Sequence, residues 1–289
     1  MSDTARAPLE RALGRILWEL RPYMQDVVVI GGWVPYLYQR YGSFPLWRAR
    51  LSLTAEVDVM LAHDLTPGDR KPLAEILRAA GYQPVNESDP AAVWASDPES
   101  GEKIEFLVPH RGTALTQGGI APINAQPAIA AISLPSLEIL HQHTGALSVE
   151  ARGPANGVML VAVTVPRLGA YTINKAATYN DRTPLAGGTA NPKLAKDLLY
   201  LRDLMAAGDD VVTTIEHDIH EMIGRDEHVH PVVRKAGNNL VGTTSVGRHK
   251  LEEAGAMLAE REGTSIKAAT ADVTGHLTDL AELLTAFGV

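Results

Sequence analysis

Apolar residues recur three or four apart at Leu9, Leu13, Ile16, Leu17 and Leu20, with acids and arginines between them, which predicts an amphipathic helix over residues 7–24. Val27-Val28-Val29-Ile30 is a continuous apolar run, too short for a helix, and reads as a strand. It leads straight into Gly31-Gly32. After the glycines, Trp33–Tyr41 reads as a helix that tolerates Pro35 in its first turn, where amides lack partners. Gly42–Arg50 reads as a turn or lid that carries Arg48 and Arg50 towards the strand that follows. In that strand, Thr54–Leu61, the pattern alternates: Val57, Val59 and Leu61 share one face, while Glu56 and Asp58 share the other.

A helix over residues 70–80 stops at Gly81, and a polar stretch rich in Asn, Ser, Asp and Pro runs from Val85 to Gly101. Lys103–Val108 is the next strand, ended by Pro109. Its Ile104, Phe106 and Val108 face one way, which leaves Glu105 on the other face beside Leu107. Residues 112–134 show no clean period and read as loop with short strands, and Leu134–His143 reads as a short helix begun by Pro135-Ser136. Gly157–Val165 is apolar throughout and predicts a buried strand. Beyond Pro166 every pattern is helical, over roughly 168–181, 191–206, 209–223, 228–240, 247–261 and 264–286. The expected organisation is therefore an α/β (α+β) domain over residues 1–166 followed by an all-helical domain over 167–289.

At 289 residues the chain has room for one large or two ordinary domains. The absence of cysteine excludes disulfides, thiolate metal sites and thiol nucleophiles. The first ten residues lack a secretion signal and no apolar run reaches the roughly 18 residues of a membrane span, so a cytoplasmic protein without membrane contact is expected. A net charge of −8 argues against a protein that coats nucleic acid non-specifically. The charge is uneven, however. Residues 151–207 hold seven Lys and Arg against three Asp and Glu, whereas 208–289 hold seven against fourteen. The basic segment suits a polyphosphate or a nucleic-acid end; the acidic remainder suits a cationic small molecule.

Two carboxylates on one face of a short strand repel each other and call for a positive partner. Taken alone, Glu56 and Asp58 could be two solvated acids. The order of elements changes that reading: strand, Gly31-Gly32, helix, a strand with Glu56 and Asp58, then a strand with Glu105. Carboxylates on neighbouring strands facing a glycine turn suit Mg²⁺ or Mn²⁺, with substrate phosphates completing the shell. Other chemistries find less support. His141-x-His143, His217-x-x-His220 and the pair His228 and His230 have spacings seen in zinc sites, but such spacings are common among ten histidines, and no His-Glu-x-x-His run accompanies them. No Gly-x-Ser-x-Gly elbow occurs. Trp33, Tyr36, Tyr38 and Tyr41 could stack a base, although aromatic residues there are more often core.

The ordered set resembles the nucleotidyltransferase superfamily, and within it the AbiEii-type, MenT-like toxin family. The resemblance rests on Gly31-Gly32-Trp33, on Thr54-x-Glu56-x-Asp58, and on a later pattern: Val165-Pro166, Ile173-Asn-Lys175-Ala-Ala, Arg182, then Lys193-x-x-Lys196-Asp197-Leu-Leu-Tyr-Leu201. It covers roughly residues 25–206. It implies a mixed-sheet catalytic core, and transfer of a nucleotide from an NTP, with Mg²⁺ or Mn²⁺, to an acceptor such as a tRNA, by a toxin that an antitoxin protein restrains. By position Glu56, Asp58 and Glu105 would ligate the metal, and Gly31 and Gly32 would form the phosphate turn. Lys175 and Arg182 would contact the NTP, and Asp197 would be an active-site acid. Glu56 stands where the family usually has Asp, and Glu105 also replaces a shorter acid. The alternatives are therefore a catalytically silent nucleotide-binding or protein-interaction module of the same fold, or transfer to a small molecule. From the residues alone, Lys193 and Asp197 are also spaced as an ordinary surface ion pair.

Overall fold

Two alternating segments lie side by side at the centre of the first half of the chain. In the computed structural model Glu56–Leu61 (β2) and Lys103–Pro109 (β5) run parallel, with Val57 beside Ile104 and Val59 beside Phe106. These four side chains are buried, as are Leu61 and Val108, so the apolar half of each alternating pattern forms core. Residues 3–44, 47–85, 90–96, 102–110, 119–154, 157–179, 192–246 and 248–288 are described.

Val27–Ile30 (β1) pairs antiparallel with β2. The far edge of β5 is shared between two neighbours. Val93–Ala95 (β4) pairs antiparallel with its first half, and Ala130–Leu134 (β7) pairs parallel with its second half. Gln83–Pro84 (β3) extends the sheet from β4, and Ile120–Pro122 (β6) from β7, giving one mixed seven-stranded sheet. Asp3–Leu20 (α1), Val34–Tyr41 (α2), Leu73–Ala79 (α3) and Glu138–Gln142 (α4) complete this half. Leu13, Ile16, Leu17 and Leu20 are the buried stripe of α1, as their spacing requires.

Thr144–Arg152 (β8) and Val158–Pro166 (β9) form a separate antiparallel hairpin. The expectation of a fully buried strand at Gly157–Val165 is corrected here. Only one face of the two-stranded hairpin is covered, so Val161, Val163 and Val165 are buried while Val158 and Leu160 are exposed at 57% and 68%. The strand β8 and the short strands β3 and β4 were not visible in the pattern. β8 mixes small, polar and charged residues, and β3 and β4 are too short for alternation to register.

The chain divides into two units, Met1–Ser43 with Leu53–Pro166, and Phe44–Ser52 with Arg167–Val289. The second is helical, with Leu168–Thr178 (α5), Pro192–Met205 (α6), Asp209–Arg225 (α7), Val229–Val246 (α8), Arg248–Glu262 (α9) and Ile266–Phe287 (α10). These follow the helices expected from the sequence closely. Residues 44–50 of the turn or lid expected over Gly42–Arg50 fall in the segment Phe44–Ser52, which groups with the helices. The reason is local bonding: the Arg48 N–H donates to the Ala207 carbonyl at 2.9 Å, and Arg261 Nη1 donates to Ser52 Oγ at 2.9 Å.

Buried charge organises this unit. Arg261 grips the fully buried Asp203 through both guanidinium nitrogens at 2.5 and 2.7 Å, a bidentate geometry that fixes α9 against α6. Arg202 links Asp203, Glu262 and Asp272. At the start of α5, Asp218 of α7 accepts from the Gly169 N–H at 3.1 Å, and Arg167 bridges Asp218 and Glu221. At its end, Asn239 Nδ2 donates to the Ala176 and Ala177 carbonyls, which satisfies acceptors that a helix terminus leaves open.

Candidate active site

The local sequence sets the site at the start of β2. Strand β1 ends at Ile30, opposite Asp58, and the backbone then turns sharply through Gly31–Trp33 into α2. Gly31 has φ +73°, a conformation that glycine adopts without steric cost. It is also required for space, because a Cβ at position 31 would overlap the Asp58 carboxylate. Trp33 Nε1 donates to the Glu56 carbonyl at 2.9 Å and Thr54 Oγ1 donates to the same oxygen at 2.7 Å. Turn and strand are thus tied to each other. Trp33 and Tyr36 are buried edge-to-face with ring centroids 5.3 Å apart, so they act as core and do not present a base-stacking surface.

The register brings the predicted acids onto one face. Asp58 pairs with Glu105, and Glu56 pairs with Lys103. Residues directly opposite one another on adjacent strands project to the same side, so Glu56, Asp58, Lys103 and Glu105 share a patch. All four are half-buried. Further along the same face Met60 and Leu107 are buried, so the polar patch sits where an apolar floor begins. Lys103 was missed from sequence. As the first residue of a strand it carried no signal of its own, and only the register with Glu56 gives it a place.

Among the described residues, no three His, Asp or Glu side chains converge as a ready-made metal cage, which also applies to the histidine pairs. Mg²⁺ does not need one: it is commonly held by one or two carboxylates, with phosphate oxygens and water in the other positions. Asp58 and Glu105, side by side with hard oxygen donors beside a glycine turn, fit that demand.

In the helical unit Lys175 Nζ meets Asp197 Oδ1 at 2.8 Å. Asp197 is 2% exposed, so the reading of Asp197 as a surface acid is corrected: the helix turns it inward, where Lys175 of α5 reaches it. The Lys175 ammonium also lies 5.9 and 5.5 Å from the ring centroids of Tyr171 and Tyr200, within cation–π range. Arg182 lies outside the described residues. Three of the seven cations of residues 151–207 meet acids within the helical unit. Lys175 meets Asp197, Arg167 meets Asp218 and Glu221, and Arg202 meets Asp203, Glu262 and Asp272. The Arg167 hydrogen bond holds the Glu221 carboxyl below the usual carboxylate range.

No helix among the described residues is long and apolar enough to cross a membrane. Comparison with curated proteins and with solved structures returns no match. A family model described as Nucleotidyltransferase matches residues 11–217, from the first helix into α7, and so takes in the glycine turn, the carboxylate strands and the Lys175–Asp197 pair. The chain therefore belongs to the nucleotidyltransferase family, whose activity is transfer of a nucleotidyl group from an NTP.

Proposed function

We propose that this chain is a Mg²⁺-dependent nucleotidyltransferase that moves a nucleoside monophosphate from an NTP onto the 3′ end of a tRNA, as the toxin of a toxin–antitoxin pair. The observation that carries the transfer reading is the placement of Asp58 beside Glu105, with the Gly31 backbone against Asp58. The tRNA acceptor and the toxin role rest on the resemblance to the AbiEii-type family.

Asp58 and Glu105 would hold Mg²⁺, and Glu56 lies on the same face two residues before Asp58. Held there, Mg²⁺ would supply charge neutralisation at the phosphates. The Gly31–Gly32 turn lets backbone approach a phosphate chain closely. The acceptor hydroxyl oxygen attacks the α-phosphorus, forming one P–O bond. The bond to the β-phosphate bridging oxygen breaks and pyrophosphate leaves with the electron pair, while the hydroxyl proton passes to a carboxylate of this face. On the family resemblance alone, Lys175 is proposed as an NTP contact and Asp197 as an active-site acid.

The test is incubation with each α-³²P-labelled NTP, Mg²⁺ and total RNA. Label is expected in RNA of tRNA size, dependent on Mg²⁺ and absent with γ-labelled NTP. Turnover into a small molecule with no label in RNA would overturn the acceptor. Growth arrest on expression, relieved by the product of an adjacent gene, is expected for the toxin role.

A further inference from the structure

We propose that Lys103 is a triphosphate contact on the carboxylate face, an assignment that rests on the nucleotidyl-transfer reading above. The register gives its position. Strand β1 runs antiparallel to β2 and ends with Ile30 opposite Asp58, so Gly31 and Gly32 leave the sheet beside Val57 and Glu56. On the other side of β2, Glu56 is opposite Lys103. The glycine turn, Glu56 and Lys103 therefore form a row across the start of the strands, next to the row of Ile30, Asp58 and Glu105.

Neighbouring strands lie about 4.8 Å apart, so the Lys103 backbone stands about 10 Å from the glycine turn. A lysine stem carries its ammonium over a good part of that span. A phosphate chain starting at the turn and crossing above Glu56 ends within reach of Lys103. The next strand places Ala95 opposite Lys103, a side chain that ends at Cβ and carries no charge.

Charge points the same way. Glu56, Asp58 and Glu105 give the face three carboxylates, and a triphosphate would add several negative charges. Among the described residues of β1, β2, β4 and β5, Lys103 is the one cation that the register puts on this face. A divalent ion at Asp58 and Glu105 offsets part of that charge, and Lys103 offsets more at the row nearer the glycine turn. The bland alternative is a lysine that only balances Glu56.

Calorimetry on the full chain with Mg²⁺ separates the two, using each of the four NTPs, the corresponding NMP and inorganic triphosphate. Lys103→Met is expected to weaken NTP and inorganic triphosphate about tenfold or more while changing NMP affinity less than about twofold, and Lys103→Arg to stay within about threefold of wild type. Equal losses for NTP and NMP, or no loss, would overturn the assignment, since a lysine that only balances Glu56 does not distinguish phosphate number. Wild type that binds none of the four NTPs would overturn the transfer reading itself, and with it the role of Lys103. Should Lys103→Met fail to fold, Lys103→Gln removes the charge in a polar side chain and carries the same NTP-to-NMP comparison.

Discussion

The Gly31 backbone and the Asp58 carboxylate compete for one space: a methyl group at position 31 would stand where Asp58 has its carboxylate. The glycine turn is therefore shaped around the acid. Gly31→Ala is expected to force Asp58 out of its position and to strain a backbone held at φ +73°. The strain costs about 1–2 kcal/mol of stability. Nucleotide transfer should fall far more, by about 10²-fold, since a displacement of roughly 1 Å at a reacting centre has that effect. Turnover and thermal unfolding of the same preparation check it, and a fully active Gly31→Ala protein would contradict the geometry.

Lys175 and Asp197 make a stability prediction that has to be separated from any role in the reaction. Asp197 is 2% exposed, so Lys175→Met leaves a buried carboxylate without this partner and should cost about 3–5 kcal/mol. Lys175→Met/Asp197→Leu removes both charges and should recover most of that loss. Denaturant unfolding of the two variants measures it. If the pair also serves transfer, the double variant stays inactive while its stability returns; a stable and active double variant would reduce the pair to structure.

Glu221 sets a pH dependence whose sign follows from its partner. Arg167 lowers the Glu221 carboxyl from its ordinary value of 4.5, so the folded state binds this proton less readily than the unfolded chain. The stabilisation from this pair is therefore fully present above about pH 4.5 and is lost as pH falls through the lowered folded value. Glu221→Gln should be less stable than wild type at neutral pH, and the gap should close as the solution is acidified below pH 4.5. A gap that widens on acidification would contradict the assignment.

The elements that position the site were legible because burial imposed a period on them. Val57, Val59 and Leu61, and then Ile104, Phe106 and Val108, alternate with polar residues, so both strands and the outward carboxylates could be read directly. The six helices among the described residues after Pro166 were legible for the same reason. What stayed hidden depends on pairing. Nothing in the order of residues says that Asp58 meets Glu105 or that Glu56 meets Lys103; the parallel register of β2 and β5 decides it. The apolar run of β9 misled because a run of valines records propensity and leaves open which faces are covered. Local charge misled too. Arg167 and Arg202 find acids at Asp218, Glu221, Glu262 and Asp272, all beyond residue 207.

The proposed role of Asp58 in nucleotidyl transfer, beside Glu105, requires its charge. Its most direct test is the Mg²⁺-dependent rate of label transfer from α-³²P NTP to RNA by wild type and Asp58→Asn, with folding of both verified by thermal unfolding. Asn keeps the shape of Asp58 and removes the charge. A loss of about 10³-fold or more with the fold intact is expected. Transfer by Asp58→Asn within about threefold of wild type would contradict it.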